Sequence, residues 1–272
     1  MTTYAVTGSS GQLGRKIVHA LLGRQIAPSD IVALARDTTK VADLAELGVQ
    51  VRAADYDQPE TLAPALEGVD RLVLVSGSEV GKRATQHLAI LAAAEAAGVQ
   101  RIAYTSLLRA DTSTIGLAPE HVATEQALTA SAIETVVLRN TWYTENYTSQ
   151  IASYVSSGAV VAAAGQARLT TATRADLAQA AAAAVTAEAP RPVYELGGST
   201  FSFTELAAAV SQATGTPIDY TPVSLADLTA AMEASGMDHA TASFWASVDD
   251  SIARGDLYTD SDDLAQLIGG SP

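Results

Sequence analysis

Short apolar runs alternate with longer stretches of helical spacing along most of this chain. The run Tyr4-Ala5-Val6-Thr7 is apolar and β-prone. From Leu13 the apolar residues recur at Ile17, Val18, Leu21 and Leu22, the spacing of one helix face. "DIVALARD" (30–37), "VQVRAAD" (49–55), "DRLVLVS" (70–76), "QRIAYTS" (100–106), "ETVVLRN" (134–140) and "PVYELG" (192–197) read as further buried strands. Helical segments fall between them, around 39–47, 59–67, 81–97, 119–131 and 174–188. Asp57-Gln58-Pro59-Glu60 reads as a capping box with Pro near the first helical position, and Gly98 suits the stop after an alanine-rich helix.

Strands and helices alternating at this interval predict an α/β fold, a Rossmann-type doubly wound parallel sheet. Two regions break the repeat: residues 141–168, with "TWYTENYTSQ", and residues 199–272, mostly helical with a short strand at 218–222. Together they are expected to form a smaller C-terminal α/β lobe over the strand ends. The division is then 1–140 plus 169–198 for the nucleotide-binding unit and 141–168 plus 199–272 for the lobe. The alanine-rich stretch 178–187 reads as a small-residue helix packed on the sheet rather than a linker.

Gly8, Gly11 and Gly14 stand where the first strand turns into the first helix. Gly8 permits backbone angles that other residues avoid, Gly11 clears the backbone for close approach, and Gly14 lets the helix pack on its strand. The unpaired N–H groups at that helix start, backed by the helix dipole, make an anion site suited to a pyrophosphate. A glycine-rich turn that binds nothing is the plain alternative.

Composition narrows the chemistry. The 272 residues include no cysteine, which excludes disulfides, thiolate catalysis and cysteine-held zinc. His19, His87, His121 and His239 show no metal-ligand spacing, so no metal is expected. With 30 acidic and 16 basic residues the net charge is −14, a surface that repels nucleic acid and anionic membrane. No apolar run approaches the roughly 20 residues of a membrane span, and no basic-then-apolar leader opens the chain. A cytoplasmic protein is expected.

Cofactor choice is read at the end of the second strand, where an NAD site would carry an acid. Ala35-Arg36 stands there instead, with Lys40 four residues on, which suits the 2′-phosphate of NADPH. The other reading is two surface charges with Asp37 as a helix cap. Asp55, ending the third strand, is either an acceptor for an adenine amino group or a turn residue. The lysines are Lys16, Lys40 and Lys82, and none follows a Tyr by four residues. The usual Tyr-x-x-x-Lys acid of short-chain dehydrogenases is therefore missing, and losing a general acid forfeits ~10²–10⁴ in rate on an ordinary ketone. An acceptor that is already a strong electrophile, such as a quinone or a cationic dye, needs that acid far less.

The chain resembles the NmrA-like, atypical short-chain dehydrogenases, and within them the quinone oxidoreductase 2 group. The residues that carry the likeness are "VTGSSGQLGRKIV", "VALARDTTK", "VRAADYDQPETL", "SEVGKRATQH", "IAYTSLLRADTS", "HVATE", "LRNTWYTENY", "TATRADLA" and "LIG". Triphenylmethane dye reductases are similar in the same places, notably "YDQPE", "HVATE" and "SDDLAQLIG". The family also contains redox sensors that bind the cofactor without turnover.

The resemblance implies that Gly8, Ser9, Ser10, Gly11, Gln12, Leu13 and Gly14 hold the pyrophosphate and that Arg36 with Lys40 takes the 2′-phosphate. It puts Ser76 and Gly77 beside the nicotinamide ribose, and Tyr104, Thr105 and Ser106 at the nicotinamide. Asn140, Trp142 and Tyr143 would wall the acceptor pocket, although core packing serves the last two equally. His121 and Glu125, one helical turn apart, are candidate catalytic residues for supplying a proton, with capping or surface roles as the alternative. The implied activity is NADPH-dependent hydride transfer directly to a small quinone or dye, with no flavin; a homodimer is left open.

Overall fold

The alternation folds as one seven-stranded, wholly parallel sheet with helices on both faces, in a computed structural model that describes all 272 residues. In chain order the strands are β1 (Tyr4–Val6), β2 (Ile31–Ala35), β3 (Gln50–Ala53), β4 (Arg71–Leu74), β5 (Arg101–Leu107), β6 (Glu134–Asn140), β7 (Trp142–Tyr143), β8 (Ala159–Ala162), β9 (Arg168–Ala172), β10 (Val193–Leu196), β11 (Ser199–Ser202) and β12 (Asp219–Pro222). Helices run between them. They are α1 (Gln12–Gly23), α2 (Ala42–Glu46), α3 (Leu62–Ala65), α4 (Arg83–Ala97), α5 (Ala118–Ala130), α6 (Glu145–Thr148), α7 (Ile151–Ser157), α8 (Arg174–Thr186), α9 (Phe203–Thr214), α10 (Leu225–Ala234), α11 (His239–Ala253) and α12 (Asp263–Ile268). The main sheet has the order β10-β6-β5-β4-β1-β2-β3. It grows outward from β1 to one side, then from β4 to the other, so a crevice opens between the C-terminal ends of β1 and β4.

Two-residue alternation sends each strand's side chains into two cores. Val6, Ala33, Val73 and Ala103 pack with Ile17 and Leu21 of α1 and the alanines of α8. Ala5, Leu34, Leu72, Ile102 and Tyr104 face the other way, against Leu62, Ile90 and Leu128 of α3, α4 and α5. The alanine-rich stretch is indeed a buried helix of the first core, and its small side chains let it lie close to α1.

A third core holds the lobe together, with Tyr147, Tyr154, Leu169, Phe203, Val210 and Ile252 at its centre. The lobe has more sheet than the sequence pattern shows: β11, β9 and β7 form one small sheet, and β12 pairs with β8. The segments "AVVA", "RLTTA" and "STFS" are too short and too rich in small residues to display a period. At its end the chain leaves the lobe, and α12 packs back on α8 and β10. Gly98 closes α4 in the left-handed region, as its position predicts. The capping box expected at 57–60 does not form. Gln58 gives no side-chain cap, Pro59 starts a 3₁₀ turn, and the Asp57 carboxylate accepts instead from Gln86 Nε2 at 3.0 Å. A capping box does form at Ser202 and Glu205, which opens α9.

Helix α1 lies unusually close to β1. A Cβ built on Gly14 falls 2.3 Å from the Gly8 carbonyl oxygen and 2.9 Å from that of Thr7. Both are backbone atoms and cannot swing aside. Gly14→Ala should therefore destabilise the protein by at least the ~1–3 kcal/mol of ordinary overpacking, measured by urea denaturation. Gly23→Ala, in the same helix but facing open space, should be neutral or stabilising, since Ala is the better helix former.

Candidate functional site

The crevice is built from the first βα turn upward. Thr7 N–H donates to the Val73 carbonyl at 3.0 Å, and Thr7 Oγ1 accepts from Val75 N–H at 2.8 Å, so the ends of β1 and β4 are tied together. Gly8 follows at φ +60°, a left-handed angle that strains any residue with a Cβ. Ser9 N–H donates to the Leu34 carbonyl and its hydroxyl to the Val6 carbonyl, so the turn is pinned to the sheet. Helix α1 then begins at a Gly11 cap with no side-chain partner and no acid in its first turn. Its leading N–H groups are left for an anion.

The cleft above this turn has a volume of about 320 Å³. Thr7, Gly8, Ser10, Gly11, Leu13 and Gly14 form its floor, with Leu34 to Arg36 on one side and Ala54 to Tyr56 beyond them. Val75 to Glu79 and Gln86 supply the opposite wall, and Tyr143 with Arg174 closes one end.

One cation, Arg36, lines the rim, and a second, Lys82, reaches it through Glu79. Arg36 Nη1 lies 3.2 Å from Glu79 Oε1, and Lys82 Nζ lies 3.2 Å from Glu79 Oε2. Lys40 is exposed and does not line the cleft, and its carbonyl accepts from Arg15. Asp37 adopts the alternative role, accepting from Thr39 N–H at 3.0 Å as a cap. Asp55 reaches the cleft, but both carboxylate oxygens are engaged in its own turn, with Asp57 N–H and Gln58 Nε2 at 3.1 Å each.

The closed end is aromatic and cationic. The Arg174 guanidinium sits 4.1 Å over the Tyr143 ring, and burial raises the pKa of that phenol. Arg174 is held loosely, 3.4 Å from Glu145 and 3.5 Å from Asn146, although its side chain is only 16% exposed. Asn140, at the end of β6, is buried and lines neither this cleft nor the lobe's cavity, and its Oδ1 has no hydrogen-bond partner. An unpaired buried acceptor costs about 1–3 kcal/mol.

Behind the wall, buried polar groups fix the loop after β4. Ser76 N–H donates to Thr105 Oγ1 at 2.9 Å, and Gly77 N–H to His87 Nε2 at 3.1 Å. Because an amide can only donate, Nε2 is the acceptor and Nδ1 carries the proton, which points at Thr124 Oγ1 at 3.0 Å. Burial, helped by the Arg83 charge, pushes the His87 pKa down to about 3, so the ring is uncharged at neutral pH. Arg83 itself bridges the Gly77 carbonyl and Glu120 at 2.7 and 2.9 Å.

Several residues singled out in the sequence lie off the cleft. Ser9 and Thr105 brace it from beneath, and Gln12 faces solvent. Tyr104 points into the opposite core, where its hydroxyl meets His121 Nδ1 at 2.7 Å. Burial, with Arg83 and His87 nearby, lowers the His121 pKa to about 3, so this ring is uncharged at neutral pH and is no imidazolium acid. Ser106 donates to Glu125 at 2.5 Å, and Glu125 pairs with Arg139 at 2.8 Å. Neither His121 nor Glu125 is brought to the cleft. Trp142 turns into a second cavity inside the lobe, while its neighbour Tyr143 faces the first. Sequence reasoning missed Tyr56, Glu79, Lys82 and Arg174. The last had a signal: a cation in the first turn of a helix, where the dipole favours an anion, is placed there for another purpose.

Residues 8–188 match the NAD(P)H-binding family. The chain is 44% identical to quinone oxidoreductase 2 of Escherichia coli over 97% of its own length and 93% of the relative's. The crystal structure of the NADPH-dependent E. coli quinone oxidoreductase complexed with NADPH superposes with a TM-score of 0.96, covering 99% of this chain and 95% of that one at 42% identity. Triphenylmethane reductase of Citrobacter sp., solved with NADP(H), gives a TM-score of 0.95 at 36% identity, covering 99% and 96%. The pinned glycine turn, the switch-point cleft and this likeness over the whole length agree: the chain belongs to the NAD(P)H-binding family, in the branch that includes quinone oxidoreductase 2.

Proposed function

We propose that this protein is an NADPH-dependent reductase that passes a hydride directly to a quinone-type acceptor, with neither flavin nor metal. The observation that carries the reading is the cleft itself: an open glycine turn at one end, a cationic rim at the other side, and an aromatic end wall without a titrating acid. The E. coli relative of known structure, a quinone oxidoreductase complexed with NADPH, supports it. When bound, the dihydronicotinamide supplies the hydride. The protein's part is alignment and electrostatics.

In this reading the start of α1, with Gly8 to Gly14, holds the pyrophosphate. Arg36 takes the 2′-phosphate, and Lys82, rather than Lys40, is its partner on the cleft side. A phosphate there would compete with Glu79 for both cations. The loop at Ser76 and Gly77, fixed from behind by Thr105 and His87, would border the nicotinamide ribose. Tyr143 offers a flat face at the inner end, and Asn140 an acceptor for an amide donor.

Arg174 addresses the charge. Hydride addition to a quinone leaves a hydroquinone anion, whose oxygen resembles a phenolate with a pKa near 10. Such an anion needs a cation more than it needs an acid. A guanidinium remains protonated throughout, and this one is mostly buried with slack contacts, so it is free to meet that oxygen. Triphenylmethane dyes are the second reading, supported by the Citrobacter relative. Their cationic carbon is neutralised by a hydride, and there Arg174 would be no help.

Arg36→Ala should weaken NADPH binding by about 10- to 150-fold, the loss of one or more charge-assisted hydrogen bonds, and leave NADH nearly unchanged. Equal losses for the two in calorimetry would remove Arg36 from the phosphate. Arg174→Met should lower kcat with 1,4-benzoquinone by about 10²-fold, the size of losing one oxyanion partner. The NADPH dissociation constant and turnover of a cationic dye should stay near their original values. Tight NADPH binding without oxidation by any quinone or dye would instead make the protein a cofactor-binding sensor.

A further inference from the structure

Arg36 marks the proposed place of the 2′-phosphate, and a carboxylate stands against that cation. Glu79, on the loop after β4, puts Oε1 3.2 Å from Arg36 Nη1 and Oε2 3.2 Å from Lys82 Nζ. Asp57 Oδ2 lies 3.8 Å from the same Nζ. Two cations and two carboxylates thus meet in one cluster, and their charges cancel. Arg36 belongs to one wall of the cleft and Glu79 to the other, so their contact spans it. A site committed to NADP carries a cation for the 2′-phosphate, and one committed to NAD carries an acid for the bare ribose hydroxyl. This cleft has both. The end of β2 lacks the acid, with Ala35-Arg36 in its place, and the loop after β4 supplies one from the opposite wall.

We propose that Glu79 sets the cofactor preference, holding the discrimination of NADPH over NADH low. Its charge occupies Arg36 and Lys82, so a 2′-phosphate must displace it and then stand beside it. Its carboxylate also offers an acceptor to the 2′-hydroxyl of NADH. The neighbouring acids are otherwise engaged. Asp57 accepts from Gln86 Nε2 at 3.0 Å and does not line the cleft, and both oxygens of Asp55 are held in its own turn. The side chains of Glu79, Lys82 and Arg36 are 36%, 61% and 66% exposed, so their ion pairs are weak ones. The effect is therefore one of degree, not of exclusion. This role rests on the proposed placement of the 2′-phosphate at Arg36, and it concerns which cofactor is preferred, not how the acceptor is reduced.

Glu79→Gln removes the charge and keeps the size and an acceptor. Calorimetric titration of the whole protein with NADPH and with NADH, at low and at high salt, reads its effect without turnover. NADPH should bind about 3- to 10-fold more tightly than to the wild type, the size expected of two exposed charge pairs. NADH should bind about 2- to 5-fold less tightly, because a charged acceptor becomes a neutral one. The gain for NADPH should shrink at high salt, since the charges are exposed. Glu79→Ala, which removes the acceptor as well, should gain as much for NADPH and lose more for NADH. Arg36→Ala, titrated alongside, separates the role of Glu79 from the placement it rests on. Suppose Arg36→Ala weakens NADPH while Glu79→Gln leaves the NADPH-to-NADH ratio within about 2-fold of the wild type. Then Glu79 has no part in the preference, and the placement stands without it. Unchanged NADPH affinity in Arg36→Ala would mean that the phosphate is not at Arg36, and the role of Glu79 would fall with it. A rise in the ratio that is equal at low and high salt would also overturn the role, because charge would not be its cause.

Discussion

The cleft depends on how closely α1 can approach the end of β1. With hydrogen at Gly14, the helix rests against the carbonyls of Thr7 and Gly8, and its N-terminus is aimed into the crevice between β1 and β4. Move the helix outward by the width of a methyl group and its N–H groups no longer converge with the loop after β4. The left-handed angle at Gly8 and the anchoring of Ser9 to Leu34 serve the same placement. Helix α8 packs beside it on the same face of the sheet, its alanines allowing the two helices to lie close together.

Charge is distributed against the overall balance. A chain of net charge −14 keeps Arg36, Lys82 and Arg174 around one cleft and sets an unpaired Asp249 in the other cavity. Acidic groups already accompany the cleft cations: Glu79 between Arg36 and Lys82, and Glu145 beside Arg174. These contacts, at 3.2 to 3.4 Å, hold the side chains near their posts. The pairs at Glu79 are exposed, and exposed pairs of this kind are worth little. The buried histidines are a contrast. His87 and His121 are uncharged and act as fixed hydrogen-bonding groups, His87 behind the wall and His121 in the opposite core, not as proton donors.

The sheet was legible because period and punctuation agree along it: seven apolar runs, helical segments between them, and glycines at the turns. The site was legible where conformation demands a residue type, as at Gly8 and Gly14. It was less legible where facing decides. Consecutive strand residues point to opposite sides, so Tyr104, Thr105 and Ser106 cannot all border one cleft, nor can Trp142 and Tyr143. Lys40 and Lys82 are equally plain in the sequence, and only the path of the loop after β4 brings Lys82 beside Arg36. Arg174 is carried in by a helix that starts in the lobe's sheet and ends under the main one, a route no local pattern encodes. The lobe strands are three or four small residues between turns, below the length at which a period can be read.

The central claim is that a nicotinamide held in this cleft reduces the acceptor with no intermediate carrier. Stopped-flow oxidation of NADPH by 1,4-benzoquinone, in protein stripped of any flavin, tests it when run with NADPH deuterated at C4 on one face and then on the other. Oxidation should be rapid without added flavin and slowed by deuterium on one face only. Oxidation that requires added flavin would contradict it.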